Sequence, residues 1–246
     1  MAPAVPRLRV FGGPNGSGKS TIKEALKPEW LGVYVNADDL EKDIRRSGYA
    51  DLAKFGLCGA DLVGIHPFLS NSTLLAKEPE LLTEMARLTV EDTRVDFGTV
   101  KVNSYHASVL CDFIRHRLMA QGISFTFETV MSSPDKVDFM AQARTHGFRT
   151  YLYFVATDDP EINVERVHNR VRSGGHPVPP EKIRERYYRS LRLLPQAIDQ
   201  SSRAYVFDNS GTDRLLLAEI SDYGESLRLE EAAIRPWFEP VLQRYL

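Results

Sequence analysis

Residues 8–21 read Leu-Arg-Val-Phe-Gly-Gly-Pro-Asn-Gly-Ser-Gly-Lys-Ser-Thr. Leu8 to Phe11 is a short apolar run of strand type, and a helical pattern runs from the end of the motif to about Lys27. Between them stands Gly13-x4-Gly18-Lys19-Ser20. Glycines let the backbone turn so tightly that its N–H groups point inward, and the helix that follows adds its positive end. A cradle of that kind suits phosphate. With this spacing Lys19 reaches the β and γ phosphates of a nucleotide and the Ser20 hydroxyl ligates Mg²⁺. The strand before and the helix after are the context that the motif requires. The expected nucleotide contacts are therefore Gly13, Pro14, Asn15, Gly16, Ser17, Gly18, Lys19, Ser20 and Thr21, with ATP and Mg²⁺ as cofactors and Ser20 as the metal residue.

Beyond the motif, short apolar runs alternate with helical segments. That is the pattern of a parallel sheet covered on both faces. Five strands are expected: Leu8–Phe11, Val33–Val35, Ile123–Phe127, Thr150–Val155 and Ala204–Phe207. Helices are expected from Asp38 to about Ser47 and near 134–146, 160–172, 180–200 and 213–221. Asp158 or Asp159 can cap the helix that opens with Pro160. Pro179 and Pro180 precede one with Ile183, Tyr187, Leu191 and Leu194 on one face. Residues 56–121 fit no short crossover. They read as an insertion, loop-like to about Pro79 and helical from about Glu80 to Ala120. The fold class that follows is α/β: a three-layer P-loop NTPase, kinase-like domain over 1–246, with a five-stranded parallel sheet and an inserted helical region.

The 246 residues are 43% apolar and 26% charged, ordinary values for a soluble globular protein. No apolar run approaches the roughly 20 residues of a membrane span. The N-terminus lacks the apolar stretch of a secretory signal. Two cysteines in no metal-like spacing suit a reduced, cytoplasmic setting. The net charge of −2 gives no global attraction to nucleic acid or membrane. Charge is nonetheless concentrated: residues 165–192 hold eight arginines and lysines against three glutamates. Such a run is either a solvated helix face or a phosphate site.

Two carboxylates stand at strand ends, where open α/β sheets bind ligands. Asp38, in Val-Asn-Ala-Asp-Asp, either takes a proton from an acceptor hydroxyl, holds Mg²⁺ through water, or merely caps the helix beginning there. Glu128, in Phe-Thr-Phe-Glu-Thr, either meets a substrate hydroxyl or the metal, or is a surface residue. Arg166 and Arg170 share a helix face, and Gly174 and Gly175 follow as a hinge. A lid over about 166–180 would neutralise a transferring phosphoryl group and exclude water. Asp96-Phe97-Gly98 copies a protein-kinase tripeptide without its His-Arg-Asp companion. His66, His106 and His116 read as ordinary surface or core residues.

Together, Gly-Pro-Asn-Gly-Ser-Gly-Lys-Ser, Val-Asn-Ala-Asp, Phe-Glu-Thr and the arginine segment ending Gly-Gly-His-Pro-Val-Pro resemble the zeta toxin-like kinases. The resemblance covers residues 7–55 and 122–210. Zeta toxins phosphorylate the 3′-hydroxyl of UDP-N-acetylglucosamine with ATP, and a relative acts on a nicotinamide dinucleotide. The resemblance implies that Lys19 and Ser20 hold ATP and Mg²⁺ and that Asp38 is the catalytic base. It implies that Glu128 and Thr129 contact the acceptor and that Arg166 and Arg170 meet the phosphates. It also implies a possible antitoxin partner. The lid here is short, so its second arginine is one of Arg170, Arg172 and Arg186. Other readings are a kinase of a dinucleotide such as NAD or of a polynucleotide end, and a non-catalytic nucleotide-binding module acting through a partner.

Overall fold

The computed structural model describes residues 4–173, 175, 177–230 and 234–246. The chain opens with β1 (Arg7–Gly12), α1 (Lys19–Ala25), α2 (Pro28–Leu31), β2 (Val33–Val35), α3 (Ala37–Ser47) and β3 (Tyr49–Asp51). Next come α4 (Ile65–Ser70), α5 (Pro79–Ala86), β4 (Thr89–Glu91), β5 (Arg94–Asp96) and α6 (Ser104–Ala120). Then follow β6 (Phe125–Thr129), α7 (Asp135–Thr145), β7 (Arg149–Ala156), α8 (Pro160–Arg172) and α9 (Pro180–Asp199). The last elements are β8 (Arg203–Asp208), β9 (Leu215–Ser221), β10 (Ser226–Leu229) and α10 (Glu239–Leu242). Two compact units result, one of residues 1–31 and 126–246 and one of residues 32–125.

The first unit is built on a sheet in the order β10-β9-β8-β7-β1-β6. β7 pairs in parallel with β1 on one side and β8 on the other. β1 is buried from Leu8 to Gly12, as a strand covered on both faces must be. On one face Ile22 of α1 packs with Phe11, Tyr153 and Val155. On the other, α7 and α9 lie against β7, and Phe139 of α7 meets Phe127 of β6 edge-on at 5.7 Å. The sheet is thus the middle layer of three. Asp159 caps α8, its side chain accepting from Glu161 N at 2.8 Å. α9 buries Ile183, Tyr187 and Leu194 on its inner face.

Two expectations change here. The helix expected at 213–221 is strand β9, antiparallel to β8, with β10 antiparallel beyond it. Leu-Leu-Leu-Ala-Glu are good helix formers, but pairing with β8 buries Leu217, Ala218 and Ile220, and that tertiary gain overrides propensity. The sheet is therefore mostly rather than wholly parallel. The third expected strand lies two residues later, so Glu128 and Thr129 are its last residues.

The second unit packs α3 against α6, with Leu40 and Ile44 buried on α3 and Leu110 and Ile114 on α6. Its small antiparallel sheet runs β3-β5-β4. Residues 80–120, expected as one helical stretch, contain the β4–β5 hairpin between α5 and α6. Val90 and Val95 pair across that hairpin, and Asp92 in its turn takes a φ of 50°. Phe97, from the kinase-like tripeptide, is simply buried core, as is His106. Among the described residues no helix is long and apolar enough to cross a membrane.

Candidate active site

The glycine-rich loop occupies the gap between Gly12, where β1 ends, and Lys19, where α1 begins. Gly13 has φ 139°, and a Cβ on it would stand 2.1 Å from the Val155 carbonyl oxygen. Gly18 has φ 94°, and a Cβ there would stand 2.2 Å from Asn209 Nδ2. An L side chain at either position is strained and would also push the loop off its supports. Lys19 Nζ donates to the carbonyls of Gly13 at 2.7 Å and Pro14 at 2.9 Å, which holds the ammonium across the loop. Ser17 Oγ is buried with no hydrogen-bond partner among the described residues. Ser20, the second residue of α1, is exposed. An orphaned hydroxyl, a cation held over a tight turn and an accessible serine fit a triphosphate with its metal.

Two asparagines brace this loop. Asn163, buried on α8, donates its amide to Asn15 O at 2.6 Å. Its own oxygen accepts from the Thr157 hydroxyl, and Tyr187 on α9 donates to Thr157 O at 2.5 Å. Burial pushes the Tyr187 phenol well above its ordinary pKa, so it stays a donor. Just past the end of β8, Asn209 donates its side-chain amide to Ser17 O at 2.8 Å while its own backbone N–H donates to Ala156 O at 2.9 Å. Neither asparagine carries a motif. Asn209 follows a strand end, the position that singled out Asp38 and Glu128. Asn163 is a polar residue on the buried side of a helix.

The arginines divide by role. Arg166 donates to Asn209 O at 2.7 Å, with the carbonyls of Ser210 and Gly211 at 3.5 and 3.4 Å. Its guanidinium therefore secures the β8–β9 turn. Arg186 on α9 reaches the loop itself, 3.5 Å from Asn15 Oδ1. Arg170 is exposed near the end of α8, and its carbonyl accepts from Gly175 N at 2.9 Å. Arg184, which its position off the apolar face would send to water, instead binds Glu161 through two bonds of 2.6 and 2.8 Å, tying α9 to α8. Gly174 and His176 of the expected lid lie outside the described residues.

The two carboxylate sites each sit on a shaped turn. Thr129 Oγ1 accepts from Met131 N at 3.0 Å, and Met131 takes a φ of 54°. The Met131 side chain lies against Gly12, where a Cβ would come within 2.9 Å of Cε. The ends of β6 and β1 therefore adjoin, and Glu128 and Thr129 stand beside the start of the loop. In the second unit Asn36 caps α3, accepting from Asp38 N at 2.8 Å and Asp39 N at 3.1 Å. Capping therefore falls to Asn36, and Asp38 is left exposed in the first turn.

The family model for Zeta toxin matches residues 91–221, just over half of the chain. The chain belongs to the Zeta toxin family. The matched span holds Glu128, Thr129, Arg166, Arg170 and Arg186, and begins well after the loop and Asp38. An uncharacterized protein of Haemophilus influenzae is 32% identical over 72 residues, 29% of this chain and 51% of its own length. This Zeta toxin family chain thus matches about half the length of that relative. A crystal structure of AvrRxo1-ORF1:-ORF2 with ATP superposes at a TM-score of 0.56 and 15% identity, over 97% of this chain and 64% of the other. The PezAT chromosomal toxin–antitoxin system of Streptococcus pneumoniae gives 0.51 and 12%, over 100% and 86%. At such identities the likeness is one of fold, a P-loop kinase-like α/β fold.

Proposed function

We propose that this Zeta toxin family member is an ATP-dependent kinase that transfers the γ-phosphate to a hydroxyl of a small metabolite, with UDP-N-acetylglucosamine favoured. The observation that carries the reading is the loop itself: Lys19 held across Gly13 and Pro14, on a backbone braced by Asn163 and Asn209. A fold neighbour solved with ATP supports the choice of nucleotide.

In this reading the loop N–H groups and Lys19 hold the triphosphate, and Ser20 holds Mg²⁺, which supplies charge neutralisation when bound. Asp38 accepts the proton of the acceptor hydroxyl, and Glu128 and Thr129 orient the acceptor. Arg186 meets the transferring phosphoryl group, with Arg170 completing the lid. Arg166 acts through the Asn209–Gly211 turn that it secures. Phosphoryl transfer needs little covalent help from the protein, so positioning and charge suffice. The toxin–antitoxin character of a fold neighbour supports an antitoxin as protein partner.

The test is incubation with γ-labelled ATP and, separately, UDP-N-acetylglucosamine, NAD and a 5′-hydroxyl oligonucleotide. Label is expected on the nucleotide sugar, with little dependence on salt. Transfer to NAD would change the acceptor, and transfer to the oligonucleotide, steeply weakened by salt, would replace it. Binding of ATP without transfer to any acceptor would leave a nucleotide-binding module.

A further inference from the structure

Asp208, the last residue of β8, is 1% exposed, and both of its carboxylate oxygens are engaged. Oδ1 accepts from Ser210 N at 3.1 Å, and Oδ2 accepts from Ser210 Oγ at 2.8 Å. Those two bonds fold the chain into a local turn over residues 208–210. The other donors come from the C-terminal segment. Trp237 Nε1 donates to Oδ2 at 3.0 Å, and Arg235 Nε lies 3.5 Å from Oδ1. The Trp237 indole is itself buried, beside Phe154 of β7 and Phe238. Burying a carboxylate is costly unless hydrogen bonds replace its water, and the C-terminal segment supplies part of that replacement.

Between Asp208 and Ser210 stands Asn209, whose side-chain amide holds Ser17 O of the glycine-rich loop at 2.8 Å. The fit is close, since a Cβ on Gly18 would stand 2.2 Å from Asn209 Nδ2. A turn that shifts at Asp208 therefore moves the amide that braces Ser17. All of these residues belong to the first unit. Arg235 and Trp237 lie beyond residues 91–221, the span that the family model matches. We infer that Trp237 is a positioning residue for the glycine-rich loop: through Asp208 it fixes Asn209, and so sets how tightly the loop holds ATP. The inference rests on the reading of residues 13–21 as an ATP cradle. Coupling of this kind is reciprocal, so nucleotide in the loop is in turn felt at Trp237.

Trp237→Phe keeps an aromatic ring in place and removes the N–H that Asp208 accepts from. Calorimetry on the full chain should find ATP with Mg²⁺ bound about five- to tenfold more weakly, the lower end of ordinary coupling between two sites. Tyr245→Phe is the control for stability alone. It removes hydroxyl bonds to Pro195 O at 2.9 Å and Asp199 Oδ1 at 3.0 Å, in the same C-terminal segment but on partners other than Asp208. It should lower the melting temperature and leave ATP affinity within twofold. The chain has two tryptophans, so Trp30→Phe leaves Trp237 as the only one. Its emission should change as ATP is added and saturate at the calorimetric affinity, a readout that stands even if Trp237→Phe does not fold. Emission unmoved at saturating ATP, wild-type affinity in folded Trp237→Phe, or an equal loss in Tyr245→Phe would overturn the inference and leave the cradle in place. No ATP binding by wild type would overturn the cradle reading and the inference with it.

Discussion

Asn163 donates its side-chain amide to the carbonyl of Asn15 at 2.6 Å, so a residue 148 positions away in sequence holds the glycine-rich loop in shape. Asn163→Leu keeps the branched shape but strips the Asn15 carbonyl of its partner and leaves the Thr157 hydroxyl only the Asp159 carbonyl, 3.2 Å away. Leaving such buried groups unpaired costs about 1–3 kcal/mol. The variant should melt several degrees lower and bind ATP about tenfold more weakly, since a looser loop must be ordered on binding. Thermal unfolding and calorimetry read the two effects. Wild-type ATP affinity in a folded variant would show that the brace does not shape the loop.

Arg186 and Arg166 should separate in kinetics. Arg186 faces the loop and, as the arginine proposed to meet the phosphoryl group, should cost about 10³-fold or more in turnover on conversion to Ala. ATP affinity should change far less, because the contact forms in the transition state. Arg166→Ala releases the Asn209–Gly211 turn, so it should lower stability and ATP affinity together. Arg184→Ala breaks only an exposed clasp to Glu161 and should keep near wild-type turnover. Equal losses in all three would mean the basic segment acts as a bulk charge.

Asp38→Asn should slow transfer by roughly 10²–10⁴-fold, the weight of a general base, with ATP affinity nearly intact. Asp39→Asn should slow it much less. Asn36→Ala, which removes the cap of α3, should cost about 0.5–2 kcal/mol of stability. Steady-state kinetics with the identified acceptor decide between the two aspartates, and the reverse order would move the base by one residue.

Asp158 offers a pH test. Burial raises its pKa, the nearby Asp208 carboxylate adds to this, and Arg235 opposes it. A carboxyl whose folded pKa is raised favours folding most at low pH, where it is protonated. That contribution is lost as pH rises through the folded pKa. Asp158→Asn should therefore raise the melting temperature relative to wild type by more at pH 7 than at pH 4. A gain independent of pH would assign the effect to something other than ionisation.

Much of the fold is legible locally. The loop, its flanking strand and helix, and the strands at β2, β7 and β8 follow from runs of a few residues whose neighbours in sequence decide them. β9 is not legible this way. Leu215 to Glu219 favour helix, and only pairing with β8 on one side and β10 on the other makes them a strand. The β4–β5 hairpin did carry a signal, Val90 and Val95 alternating with polar residues around a two-residue turn, but it is short and sits within a helical-looking stretch. The site divides in the same manner. Lys19 stands out through its glycine-rich motif, and Asp38 and Glu128 because strand ends gather ligands. Asn163 and Asn209 act through single contacts to Asn15 and Ser17, which exist only once the sheet has assembled. The Asn209–Gly211 carbonyls that engage Arg166 are likewise brought to it by the fold, which is why its helix position alone pointed to phosphate.

The central claim is that residues 13–21 cradle the phosphates of ATP, and calorimetry of ATP with Mg²⁺ on wild type and Lys19→Ala tests it most directly. Lys19 spans Gly13 O and Pro14 O, and in the proposed reading it is the side-chain cation that meets the β and γ phosphates. Wild type should bind with a clear heat, and Lys19→Ala, folded and with an unchanged melting profile in the absence of nucleotide, should show no detectable binding. Equal affinity in the two proteins, or no binding by wild type, would contradict the account.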